Sequence, residues 1–168
     1  MELINTFSLA RHTGEYSTWP LASRLLLQGR DTGTAIKGYA LEAQYRWSEG
    51  YLLISSWECP FEESNSFTLL DKHFRAMAIC ELGAMYASFL LVKHWPVSAS
   101  ELRLHYDDKV FYTLRIVEKM GLFKKRLSLE LETFESPEND PHALASIQEN
   151  EKRLQEIGSV LSKDQQLG

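Results

Sequence analysis

Cysteine, proline and long apolar runs are all scarce in this sequence of 168 residues. The two cysteines, Cys59 and Cys80, are too few for the disulfide framework of a small secreted scaffold. The longest apolar stretch, Met85 to Val92, is interrupted by Ser88 and is far shorter than a membrane span. The first residues lack a basic region followed by an apolar one, so we expect no signal peptide, no membrane association and a cytoplasmic location.

An excess of positive charge is also missing. The chain has 18 Lys and Arg against 23 Asp and Glu, which gives a formal net charge of -5. Such a surface repels phosphate groups on average, so we expect no nucleic-acid partner. Hydrophobic residues make up 44% and charged residues 24%, close to ordinary globular usage, which favours a folded chain over a disordered one.

Spacings typical of metal sites and of activated nucleophiles are absent from the sequence. It contains no His-x-x-x-His, Cys-x-x-Cys or Gly-x-Ser-x-Gly pattern. We therefore predict no metal, no cofactor and no catalytic residue. Cys59 stands among three carboxylates, Glu58, Glu62 and Glu63, and nearby negative charge keeps a thiol protonated and unreactive.

The sequence contains instead many short apolar runs between Leu21 and Phe134, separated by Gly, Pro, Ser and Asp, which is the pattern of strands. Their connections are too short for parallel crossovers; Gly83-Ala84, for example, is interpreted as a turn joining strands at 75–82 and 86–95. We predict an all-β fold: an antiparallel β-sandwich or flattened barrel of about 8–10 strands, with one C-terminal α-helix.

A change in composition from Ser136 to Pro141 divides the chain. Residues 1–136 are predicted to form the antiparallel β domain, with 1–20 as a lead-in segment. Residues 137–168 are predicted to form a hinge and a helix that packs on the same domain or on a partner. Asp140 is a favourable N-cap and Pro141 suits the first turn, so the helix should run from Pro141 to about Ser162.

The clearest predicted hairpin runs from Tyr39 to Trp57. A three-residue loop ending in a left-handed Gly50 would pair Trp47 with Tyr51, and Tyr45 with Leu53. Four aromatic side chains would then share one sheet face, where they could hold an apolar ligand: Tyr45, Trp47, Tyr51 and Trp57. The opposite face, which includes Gln44, would point to water.

A second hairpin is predicted around Asp107-Asp108. A three-residue loop matches apolar with apolar residues, pairing Tyr106 with Val110, Leu104 with Tyr112 and Leu102 with Leu114. This register places Lys109 in the left-handed region. His105 is expected on the solvent face of its strand.

The predicted helix carries an apolar stripe formed by Leu144, Ile147, Leu154, Ile157 and Leu161. The stripe either packs on the chain's own sheet or is shared between chains. The leading hypothesis is therefore a non-enzymatic protein-interaction module that self-associates or binds a protein partner. One alternative is a carrier of a small apolar ligand in an aromatic-lined barrel. The other is an enzyme with a site assembled across strands, near Cys59 and the strand-end histidines His73, His94 and His105.

Overall fold

The computed structural model describes residues 1–58, 63–84, 89–120 and 125–164. Within these ranges the chain forms twelve strands and one α-helix, α1, Pro141–Asp164. The strands are β1 Glu2–Leu3, β2 Phe7–Leu9, β3 Ala22–Leu27, β4 Arg30–Lys37, β5 Ala40–Trp47, β6 Gly50–Ser56, β7 Asn65–Asp71, β8 Ala76–Leu82, β9 Leu91–Pro96, β10 Glu101–Tyr106, β11 Val110–Met120 and β12 Lys125–Thr133.

The described strands form three antiparallel sheets, with the orders β1-β5-β6-β7-β8, β12-β11-β10-β9 and β2-β3-β4. None of them closes on itself within the described residues, so the fold is sandwich-like and not a barrel. The predicted all-β class, the antiparallel pairing and the C-terminal helix are confirmed. β1 and β2 lie in the segment that was expected to be a lead-in.

The five-stranded sheet is covered on both faces. Its first face packs on the four-stranded sheet around a main core that includes Tyr45, Phe67 and Leu104. Its second face packs on the three-stranded sheet through a second core: Phe7, Leu25, Ile36, Leu53 and Leu70. Double coverage explains why β6 and β7 are almost continuously buried and why their sequences do not alternate.

The helix packs on the outer face of the four-stranded sheet. Ala143 is buried against Trp95 and Phe111, and the half-buried Ile147 joins them. The Asp140 carboxylate accepts hydrogen bonds from the backbone N–H groups of residues 142 and 143, at 2.8 and 3.3 Å. The predicted N-cap is therefore confirmed. From one side of the fold to the other, the layers are the helix, the four-stranded sheet, the five-stranded sheet and the three-stranded sheet.

The register predicted for the first hairpin is wrong by one residue. The loop has two residues, so Trp47 pairs with Gly50 and Tyr45 pairs with Leu52. Gly50 does not have a positive φ. Glycine is required at this position for a steric reason, because a Cβ there would lie 1.9 Å from the carbonyl oxygen of Leu70 on β7. A shift of one residue moves every β6 side chain to the opposite face.

The register predicted for the second hairpin is confirmed. Tyr106 pairs with Val110, Leu104 with Tyr112 and Leu102 with Leu114. Lys109 has a φ of 61°, which is the expected left-handed conformation.

Two side chains expected in water are buried. Gln44 lies under β2, because the three-stranded sheet covers that face of β5. His105 lies under α1, where its Nδ1 is 2.7 Å from the hydroxyl of Ser146 and its ring stacks on Phe111 at 4.3 Å. Both predictions failed because a layer distant in sequence covers the face.

The turn predicted at Gly83-Ala84 does not join neighbouring strands. β8 ends the five-stranded sheet, whereas β9 ends the four-stranded sheet, so the chain passes between layers at this point. Residues 86–88 of the strand predicted there lie outside the described residues.

Candidate functional site

The four aromatic residues predicted to bind a ligand lie in different parts of the fold. Tyr45 is buried in the main core, and Trp47 packs at the periphery of the same core. Tyr51 packs against the second core, on the other face of the five-stranded sheet. Trp57 contacts Tyr39, with their ring centroids 5.1 Å apart. The structure therefore does not bring the four side chains to one surface.

The residues predicted to form an interface on the helix fall into two groups. Ile147 is half-buried and packs on the sheet. Leu144, Leu154 and Ile157 are exposed by 43%, 54% and 49% respectively. The side chain of Leu161 lies outside the described residues.

The first and second halves of α1 have different surroundings. Ala143 and Ser146 are fully buried, and Asn150 is half-buried. Every residue from Glu151 to Ile157 is exposed in the described structure. Glu151, at the start of this exposed segment, forms an ion pair with Lys109 of the β10–β11 turn, at 2.7 Å.

The buried and exposed apolar residues of α1 belong to one continuous stripe. At 100° per residue, Leu154 and Ile157 project to the same side of the helix as Ala143 and Ser146. Because Ala143 and Ser146 are buried and Leu154 and Ile157 are not, the stripe extends past the edge of the sheet that covers its first half. We call Leu154 and Ile157 the overhanging stripe.

The residues proposed for an enzymatic site do not converge where the structure describes them. His73 is exposed in the β7–β8 turn. His94 faces the main core, and His105 lies on the other face of its sheet under α1. The buried Glu63 carboxylate accepts hydrogen bonds from the backbone N–H groups of Trp57 and Ser64, at 2.8 and 3.1 Å. Cys59 and Glu62 lie outside the described residues.

The buried Tyr45 and the half-buried His94 form a polar pair between two sheets. The Tyr45 hydroxyl and His94 Nδ1 are hydrogen-bonded. Burial lowers the pKa of His94, although the charge of Glu42 partly opposes this. Burial raises the pKa of Tyr45, so both groups stay neutral near pH 7 and link the sheets.

The thiol of Cys80 is a weak candidate for chemistry. It is half-buried and free, and burial raises its pKa. Among the described residues, no group of three His, Cys, Asp or Glu side chains could hold a metal ion.

A cleft of about 520 Å³ opens where the segment after β2 meets the start of β5. Its lining includes Arg11, His12, Trp19, Tyr39, Gln44 and Glu58. This site was missed from the sequence, which predicts for residues 1–20 a lead-in segment with at most one strand, around Leu3 to Leu9, and no binding role. The signal available there was the concentration of aromatic residues at Tyr16 and Trp19 without a strand period.

Tyr39 is the centre of an aromatic cluster beside this cleft. Its ring centroid lies 5.2 Å from that of Trp19, 5.4 Å from His12, 5.6 Å from Tyr16 and 5.1 Å from Trp57. The rings of Trp19, Tyr16 and Trp57 meet Tyr39 nearly at right angles, in the edge-to-face geometry that aromatic pairs favour. We call these five side chains the aromatic cluster.

Two charged side chains of opposite sign line the same cleft. Arg11 and Glu58 are both exposed, and neither makes a hydrogen bond or ion pair with another described residue. Glu58 also has a φ of 54°, a conformation that few residues other than glycine adopt.

No described helix is long and apolar enough to cross a membrane. Comparison of the chain with protein-family models, with curated proteins and with solved structures found no match.

Proposed function

We propose that this chain is a non-enzymatic protein-interaction module that self-associates through the overhanging stripe of α1. The supporting observation is that Leu154 and Ile157 are about half exposed in a segment, 151–157, of which every described residue is exposed. Most of the stability of an amphipathic helix comes from packing of its apolar face. The first half of α1 has this packing against the sheet, and segment 151–157 lacks it.

A second copy of the chain is the occupant that the geometry favours. In an antiparallel pair with a two-fold axis near Gln155, Leu154 of one copy would pack against Ile157 of the other, and the reverse contact would follow by symmetry. The stripe would then be complementary to itself without a second surface.

Sedimentation velocity on the full chain tests this proposal. We expect a dimer dissociation constant in the micromolar range, so the wild type should be dimeric at a protein concentration of ~0.3 mM. The double variant Leu154→Lys/Ile157→Lys should be monomeric, because four ammonium groups would meet at the interface. A matched control, Gln148→Lys/Gln155→Lys, adds the same charge at exposed positions on another side of the helix and should remain dimeric.

Each other outcome contradicts the proposal. A monomeric wild type at this concentration would exclude self-association. A dimer that survives Leu154→Lys/Ile157→Lys would place the interface elsewhere, and equal dissociation of the control would show a general effect of charge. Unfolding is checked separately by circular dichroism, and it is not expected because both substituted side chains are exposed.

A further inference from the structure

We infer that the cleft beside the aromatic cluster is a binding site for a neutral saccharide. This site is independent of the proposed self-association, because α1 packs on the outer face of the four-stranded sheet and the cleft lies where β2 meets β5. Three properties of the cleft fit such a ligand: a fixed shape, available ring surfaces and balanced charge.

The cleft is held in shape by buried hydrogen bonds. The Gln44 side chain bonds both backbone groups of Phe7, which fixes one wall to the other. His12 Nε2 lies 2.8 Å from the hydroxyl of Ser23, and that hydroxyl donates to the carbonyl of Gly38 at 2.6 Å. A preformed cleft of about 520 Å³ lies within the size range of small-molecule sites, about 300–1,000 Å³.

The aromatic side chains offer ring surfaces and not a cage. A cage for a quaternary ammonium ion needs a gap between rings that all lie within about 6 Å of the cation. In the aromatic cluster the rings of Trp19 and Trp57 pack directly against Tyr39, nearly at right angles and at centroid distances of 5.2 and 5.1 Å, so no such gap remains between them and Tyr39. Of the five cluster members, His12, Trp19 and Tyr39 line the cleft, and the ring surfaces of Trp19 and Tyr39 suit the flat C–H face of a pyranose ring.

The charged lining favours a neutral and polar ligand. Arg11 supplies only hydrogen-bond donors and Glu58 only acceptors, whereas a hydroxyl group both donates and accepts. A ligand of either net charge would be attracted by one of these side chains and repelled by the other. A wholly apolar ligand would remove both charges from water without replacing their hydrogen bonds, which is costly.

Saturation-transfer NMR on the full chain tests the inference, with cellobiose, maltose, lactose and N,N′-diacetylchitobiose as probes. We expect at least one disaccharide to bind with a Kd near 1 mM, which is measurable at ~10 mM ligand. Trp19→Ala and Arg11→Ala should each weaken that binding about tenfold or more. Arg30→Ala, at an exposed arginine that does not line the cleft, is the matched control and should bind like the wild type.

The outcomes separate saccharide binding from its alternatives. The absence of a transfer signal for all four disaccharides would overturn the inference, and so would binding of tetramethylammonium alone. Binding that is equally strong in the wild type and in Arg11→Ala would place the sugar elsewhere. Because Arg11 is exposed, this variant should keep the wild-type near-ultraviolet circular dichroism, so that its result stands even if Trp19→Ala loses structure.

Discussion

The side-chain amide of Gln44 on β5 forms hydrogen bonds with both backbone groups of Phe7 on β2. Oε1 accepts from the Phe7 N–H and Nε2 donates to the Phe7 carbonyl, each at 2.8 Å. Oε1 also accepts from the N–H of Thr6 at 3.0 Å. One side chain therefore takes the role that a neighbouring strand would have, and it joins the three-stranded sheet to the five-stranded sheet.

Replacing Gln44 with alanine should destabilise the fold by about 3 kcal/mol. The substitution leaves the buried N–H and carbonyl of Phe7 without partners, and each unsatisfied buried group costs about 1–3 kcal/mol, with water recovering part of the loss. Urea unfolding monitored by circular dichroism measures the change. Gln155→Ala, at an exposed glutamine of α1, should change the free energy of unfolding by less than about 0.5 kcal/mol. Equal values for the two variants would refute the role assigned to Gln44.

The two hairpins show which part of the fold the sequence could predict. The register of the second hairpin follows from the local pattern, because a three-residue loop pairs Tyr106 with Val110, whereas a two-residue loop would pair it with Lys109. The first hairpin could not be predicted in this way, because β6 is apolar on both of its faces. Its register depends on the close approach of Gly50 to Leu70, a contact with a third strand that no local pattern reveals.

The candidate sites divide in the same manner. The N-cap at Asp140 and the start of α1 depend on neighbouring residues, and both could be predicted. The exposure of Leu154 and Ile157 could not be predicted, because it depends on the width of the sheet beneath the helix. The cleft brings Trp19 to Tyr39 from separate segments, a tertiary contact that residue spacing does not encode.

Gly50→Ala should destabilise the fold by about 3 kcal/mol or prevent folding. The new Cβ would lie 1.9 Å from the carbonyl oxygen of Leu70, and backbone on a central strand cannot move away cheaply. Gly29→Ala is the informative comparison, since Gly29 has a φ of 81° but open space around it. We expect that variant to lose only about 1 kcal/mol, from backbone strain. Thermal unfolding of both variants would contradict this explanation if Gly29→Ala were the less stable one.

Lys109→Gly should stabilise the fold by about 1 kcal/mol. Lys109 has a φ of 61°, and glycine adopts this conformation without the Cβ penalty. The variant also loses the exposed ion pair with Glu151, but such pairs contribute little. Lys109→Ala is the matched control, since it removes the same ion pair and keeps the strained Cβ. Urea unfolding should therefore show a gain for glycine only, and equal stabilities would contradict left-handed strain at this position.

The stability of the fold should fall as the pH decreases from about 7 to 5.5. Burial lowers the pKa of His94 and of His105 below the ordinary 6.5, with Glu42 opposing the shift at His94 and Asp107 at His105. Below pH 6.5 the unfolded chain therefore binds protons that the folded chain does not, and this difference favours unfolding. Carboxyl groups ordinarily titrate near pH 4, so they contribute little in this range.

Substitution of the two histidines tests whether they cause this pH dependence. The urea midpoint of the wild type should decrease between pH 7 and pH 5.5, and His94→Asn and His105→Asn should each show a smaller decrease. The double variant should show a smaller decrease than either single variant, because the two side chains lie on opposite faces of their sheet and their effects should add. Each variant also loses packing or a hydrogen bond, so its stability at pH 7 will be lower. For each variant, the quantity to compare is therefore the decrease in its own urea midpoint between pH 7 and pH 5.5. A decrease in the double variant as large as that of the wild type would exclude these histidines as the source of the pH dependence.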